Sequence, residues 1–182
     1  LARIHLAQGN RTEAAGAIEK AVKLIQTSGV FPEARSAVEA VQVKFWLAQG
    51  ELQAAARWAA SSDEKAFDPD DPFRFKEELA QITRARVFMA QENLDQTIGL
   101  LSQLEETARS RGRLGRLIEI MILKALAMQR MGDSAQAGVA LMKSLTLAEP
   151  EGYLRMFLDE GQPMQMLLAQ WLAHAGDDRL KG

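Results

Sequence analysis

At 182 residues the chain holds one ordinary domain or a stack of small repeats. Its 47% hydrophobic and 25% charged residues match a soluble globular protein, excluding a disordered tail and arguing against a membrane protein. With 22 Lys plus Arg against 24 Asp plus Glu, the net charge of −2 is too balanced to coat nucleic acid or acidic lipid, and zero cysteines exclude disulfides, thiolate metal sites and cysteine nucleophiles.

Good helix formers dominate, prolines number 5 and glycines 13, so an all-α chain with almost no sheet is expected. The first helix runs to the turn at Gly9-Asn10, and Gly29 ends the second. Pro32, tolerated in a first helical turn, starts the third, which stops at Gly50-Glu51. Asp68-Pro69-Asp70-Asp71-Pro72 is the longest loop, with Asp71 an N-cap and Pro72 at N1, and Phe75, Leu79, Ile82 and Met89 then line one helical face. The turn Glu92-Asn93 follows, and the loop Arg109–Arg113 separates the third helical hairpin from the fourth. The apolar stretch Ile118–Met131 contains Glu119, Lys124 and Arg130, so it is a poor bilayer span. Gly132-Asp133 turns the chain again, Glu149-Pro150 ends that helix, and a short helix near 151–159 stops at Gly161-Gln162-Pro163. Leu167, Leu168, Trp171 and Leu172 give the last helix a broad apolar face. About ten helices result.

The turns form a repeat. Anchors at 9, 50, 92 and 132 are spaced by 41, 42 and 40 residues. Five residues after each stands a small residue, Ala14, Ala55, Thr97 or Ala137; seven before stand Ala2, Val43, Ala85 and Ala125; nine after come Ile18, Ala59, Leu101 and Leu141. Small residues at fixed places let two helices approach closely, so each unit reads as a helical hairpin. The pattern resembles the tetratricopeptide repeat (TPR), with larger residues at Trp46 and Phe88, and His5 and Met128 in the same places, packing between helices. The unit exceeds the usual ~34 residues. The implied fold is a TPR-like α-solenoid of about four antiparallel hairpins over 1–149, the first truncated at its N-terminus, with capping helices over 150–182.

No catalytic set emerges. Asp68, Asp70 and Asp71 lack the spaced ligands and closing Glu of a calcium loop, and capping explains them. Asp159-Glu160 point about 100° apart on a helix and cannot face each other as an acid and base pair. His5 and His174 lie at opposite ends of the chain with no E-x-x-H partner, so no metal site is expected. There is no phosphate loop, nucleophile elbow or dinucleotide fingerprint, hence no expected cofactor. The run Arg109, Arg111, Arg113 and Arg116 lacks interleaved aromatics and reads as a solvated loop. In TPR register, Arg3, Lys44, Arg86 and Leu126 stand six residues before each anchor on the face lining the concave side, next to Leu6, Leu47, Met89 and Gln129. Arg3, Lys44, Arg86 and Gln129 are therefore the candidate contacts for an anionic or hydroxylated ligand or an acidic peptide.

After the fourth hairpin comes Ala148-Glu149-Pro150-Glu151-Gly152-Tyr153-Leu154-Arg155-Met156-Phe157-Leu158-Asp159-Glu160-Gly161-Gln162-Pro163-Met164, followed by Leu167-Leu168. This resembles the segment closing the helical-repeat sensor domain of MalT-like regulators, the ATP-dependent LuxR-type transcriptional activators. The resemblance implies a sensor of an inducer small molecule or partner protein in the cytoplasm, with ATP and DNA bound only by domains absent from this chain. Its opening at Leu1, without an initiator Met or an export signal, fits a piece of something longer. The alternatives are a stand-alone TPR scaffold for other proteins and, least favoured, an all-helical enzyme. Tyr153, Met156, Phe157, Leu167 and Trp171 are expected to cover the open face of the fourth hairpin.

Overall fold

A computed structural model describes residues 1–27, 32–61 and 75–180. They form ten helices and no strand among the described residues: α1 (Ala2–Ala7), α2 (Arg11–Thr27), α3 (Pro32–Gln49), α4 (Leu52–Ser61), α5 (Phe75–Ala90), α6 (Leu94–Ser110), α7 (Leu114–Arg130), α8 (Ser134–Ala148), α9 (Leu154–Leu158) and α10 (Gln162–Leu180). The chain is an all-α, TPR-like helical repeat, as expected. The end of α2 expected at Gly29 and the start of α5 expected at Asp71-Pro72 lie outside the described residues, as does the Asp68–Pro72 loop.

All four repeat anchors adopt the left-handed backbone, with φ of 75° at Gly9, 76° at Gly50, 61° at Glu92 and 84° at Gly132. At each, the amide of the residue that follows reaches back to a carbonyl of the helix just ended: Asn10 to His5 at 2.9 Å, Glu51 to Trp46 at 2.8 Å, Asn93 to Phe88 at 2.9 Å and Asp133 to Met128 at 3.0 Å. The anchor's own amide makes the companion bond, Gly50 to Leu47 at 3.2 Å and Gly132 to Gln129 at 3.1 Å. This pair of bonds is the Schellman motif, which satisfies orphan carbonyls at a helix end. The polar residue also opens the next helix: Asp133 accepts from the amide of Gln136 at 3.0 Å, an N-cap. Two residues thus stop one helix and start the next.

The same device recurs between hairpins. Gly112 and Gly152 are left-handed, with Arg113 and Tyr153 donating to Ala108 and Ala148. From Glu92 onward the turns fall at 92, 112, 132 and 152, in steps of 20 residues. A helix of 15 to 17 residues plus its turn fills each step, which accounts for a hairpin longer than the ~34-residue TPR.

The chain divides into two compact units, Leu1–Asn93 and Leu94–Gly182. In the first, α3 packs against α2, α4 and α5, around a cluster of Val43, Ala55 and Val87 with Trp46, Leu47, Trp58 and Ala59 against it. In the second, α7 packs against α6, α8 and α10. Neighbours on several sides explain its long apolar stretch: Ile118, Ile120, Ile122 and Leu123 are at most 1% exposed, each contributing about 1.5–3 kcal/mol. Its charged residues find partners, Glu119 with Arg116 at 2.9 Å and Lys124 with Glu105 at 2.7 Å. Among the described residues, no helix is long and apolar enough to cross a membrane.

Small residues stand where helices meet. Ala14, Ala55, Thr97 and Ala137, one per hairpin at the same register, are all 0% exposed, and Val43, Ala85 and Ala125 are equally buried. A side chain of two carbons or fewer at most of these points lets neighbouring backbones approach.

Candidate functional site

The residues expected to touch a ligand are placed by their register on the first helix of each hairpin. Lys44 and Arg86 belong to the first unit and sit at equivalent steps of α3 and α5, helices that pack on each other. The valines next to them in sequence, Val43 and Val87, belong to one apolar cluster. Lys44 is half-buried, whereas Arg86 is only 7% exposed. Leu126, at the same step of α7, is buried as well. The side chain of Arg3 lies outside the described residues. Gln129, in the second unit, is half-buried and donates its amide to Gln170 of α10 at 2.6 Å. The structure therefore puts Lys44 and Arg86 on two helices that pack together, and gives Gln129 a partner on α10.

The larger residues four places before each anchor serve the fold. Trp46 packs on the Val43–Ala55–Val87 cluster, and the carbonyls of His5, Trp46, Phe88 and Met128 receive the closing bond of each turn. His5 is half-buried, with its Nδ1 buried and no hydrogen-bond partner among the described residues. The side chains of His174 and of Asp68, Asp70 and Asp71 lie outside the described residues. Asp159 sits at the end of α9, its carboxylate 3.6 Å from the Arg155 guanidinium one helical turn back. Of the basic run, Arg109 and Arg116 each hold a glutamate, at 2.7 and 2.9 Å.

One charged group went unnoticed in the sequence. Glu105 on α6 accepts from Arg109 on its own helix at 2.7 Å and from Lys124 on α7 at 2.7 Å, while the Lys124 ammonium also donates to Ser102 at 3.1 Å. Burial raises the Glu105 carboxyl, but the hydrogen bonds and charges of Lys124 and Arg109 together outweigh it and hold it below its ordinary value of 4.5. The i,i+4 spacing of Glu105 and Arg109 is readable in the sequence. The link to Lys124 is not, because it depends on how two helices are rotated against each other.

The closing segment lies against the fourth hairpin at both ends. The Tyr153 ring stands beside Gly115 in the first turn of α7, where an added Cβ would lie 3.8 Å from its hydroxyl. Trp171 of α10 stands over Gly138 in the second turn of α8, 3.4 Å from where a Cβ would be. Phe157, Met164 and Leu167 are buried, and Met156 and Trp171 half-buried.

Comparison with known proteins adds the following. The profile described as the MalT-like TPR region matches residues 1–174. The HTH-type transcriptional regulator MalT of Klebsiella pneumoniae is 26% identical over 165 residues, 91% of this chain and 18% of the relative. Its counterpart in Cronobacter sakazakii is 25% identical over 172 residues, 94% of this chain and 19% of that protein, and the one in Serratia proteamaculans is 25% identical over 170 residues, 93% and 18%. The chain thus spans 18–19% of the length of the curated relatives it matches.

Proposed function

Because the chain belongs to the MalT-like TPR region family, we propose that it is the sensor and interaction module of a LuxR-type transcriptional regulator. The match over residues 1–174 carries this reading, and the left-handed turns repeated at one register along the chain support it. In this proposal the repeats hold an inducer or a partner protein in the cytoplasm, and the occupied repeats bias ATP-binding and DNA-binding domains outside this chain. The coupling is a population shift: a ligand bound more tightly by the active arrangement favours that arrangement by its differential affinity alone. No step in this role forms or breaks a bond in the chain.

The ligand contacts we propose remain the register row Arg3, Lys44 and Arg86 together with Gln129. Lys44, half-buried on α3, is the cation best placed to be tested. Arg86 is a poor test, because reversing a buried charge would disturb packing before it disturbed binding. Residues 150–182 are proposed as the cap of the array, with Tyr153 and Trp171 laid over Gly115 and Gly138 and Phe157 buried beneath.

In the full-length polypeptide, Lys44→Glu is expected to raise the inducer concentration for half-maximal promoter activation while the repeat region melts as before. Unchanged induction would remove Lys44 from the site. A parent gene without nucleotide-binding and helix-turn-helix domains would replace the regulator by the scaffold reading.

A further inference from the structure

The second unit holds an open cleft of about 80 Å³ that belongs neither to the register row nor to the cap. Met121, Lys124 and Met128 line it from α7, at steps of three and four that put them on one helical face. Leu126 of the register row is two residues from Lys124, about 200° round the same helix. Gln136, Val139, Ala140 and Lys143 line it from α8, again at steps of three and four. Glu105 of α6 completes the wall.

The two ammonium groups of the cleft are in different states. Lys124 is held by Glu105 and Ser102, so its charge is largely answered. Lys143 is exposed and has no hydrogen bond or ion pair among the described residues. With Glu105 ionised, the three charged groups leave one net positive charge, located at Lys143. Beside it lie two thioethers, a valine and an alanine, with Val139 47% exposed. Thioether side chains adapt their shape to an apolar guest. Gln136 supplies an amide that can donate at the other end of the α8 row.

We propose that this cleft binds a small aliphatic carboxylate. Its carboxylate pairs with Lys143, where the uncompensated charge is, and its hydrocarbon chain lies on Met121, Met128, Val139 and Ala140. At about 15 Å³ per atom-sized site, the space suits a group of about five or six non-hydrogen atoms. That is too small for a helix or a sugar chain and matches the five carbons of pentanoate, whose two oxygens reach out of the open cleft to Lys143. Since the site lies on a different face of α7 from Leu126, it stands or falls independently of the regulator reading.

The test uses the 182-residue chain with its methionine methyl groups labelled with carbon-13, titrated with pentanoate and followed by NMR. Saturable shifts are expected at the Met121 and Met128 methyls, and none of comparable size at the other six methionines. Lys143→Gln is expected to weaken pentanoate about two- to fivefold, the scale of one solvent-exposed ion pair, while Lys143→Arg retains it. Pentylammonium and pentanol serve as controls for the charge and for the chain alone. Equal shifts with pentanol, equal affinity in Lys143→Gln with an unchanged spectrum of the free protein, or no saturable shift at Met121 and Met128 would each overturn the proposal.

Discussion

Replacing Glu92 with glycine should stabilise the chain, and replacing Gly132 with alanine should destabilise it by a similar amount. Both residues occupy the left-handed backbone, at φ 61° and 84°, and both are followed by an amide that reaches back five residues to close the turn. An L residue there bears roughly 1–2 kcal/mol that glycine does not. Glycine in turn loses more freedom on folding, which offsets about 0.4–1 kcal/mol of that difference. The net is about 0.5–1 kcal/mol in each direction. At about 2–4 °C per kcal/mol for a chain of this size, the melting midpoint moves up by about 1–4 °C for Glu92→Gly and down as much for Gly132→Ala. Sterics do not confuse the comparison, because a Cβ on Gly132 would meet nothing within 4 Å. Thermal melts followed by circular dichroism at fixed protein concentration give the answer. If Glu92→Gly melts at or below Glu92→Ala, which loses the same side-chain interaction but keeps an L residue at the turn, backbone handedness is not what selects the residue there, and the account of the repeat given above is wrong.

Phe157→Ala should lower stability by about 3 kcal/mol, since that ring is 5% exposed, and Trp171→Ala by less, since its ring is half-buried; urea denaturation ranks the two, and neutral results in both would end the capping role. Gly99→Ala, in the exposed interior of α6 with nothing within 4 Å of the new methyl, should stabilise by up to about 1 kcal/mol, and a loss in the same assay would show that something approaches that glycine. Acid should weaken the second unit through Glu105. Its carboxyl in the folded chain lies below the ordinary 4.5, so the contribution of its ion pairs is complete above that value and is lost as the pH falls through the lower, folded one. Glu105→Gln should therefore flatten the acid limb of a stability-against-pH curve, and an unchanged limb would assign the acid sensitivity to other carboxylates.

The turns were the most legible part of the fold, because they rest on a backbone requirement that few residues meet. Gly9, Gly50 and Gly132 announce themselves; Glu92 does not, and only its register among the other three gave it away. The small residues at Ala14, Ala55 and Ala137 were readable for a similar reason, since close helix approach leaves few choices. Features that depend on the rotation of one helix against another left no mark. Lys124 and Glu105 are 19 residues apart with no spacing rule to join them, and the cleft above them is formed by three helices at once. Register placed Lys44 and Arg86 on matching helix faces, but could not say that one would be half-buried and the other almost wholly so. An arginine looks equally polar in a sequence whether its guanidinium meets water or protein.

The even step of 20 residues also governs how the second unit acquires its structure. Because α7 rests on the helices immediately before and after it, most of its partners arrive through a short stretch of chain, and the entropy lost in closing each loop is small. Chains built from such local pairings reach the native state in microseconds to milliseconds, far sooner than sheet proteins of equal stability. Growth can begin at any adjacent pair and extend helix by helix in either direction. A gene that gained or lost one 20-residue step would reverse the direction in which everything downstream leaves the array, whereas a change of two steps would restore it.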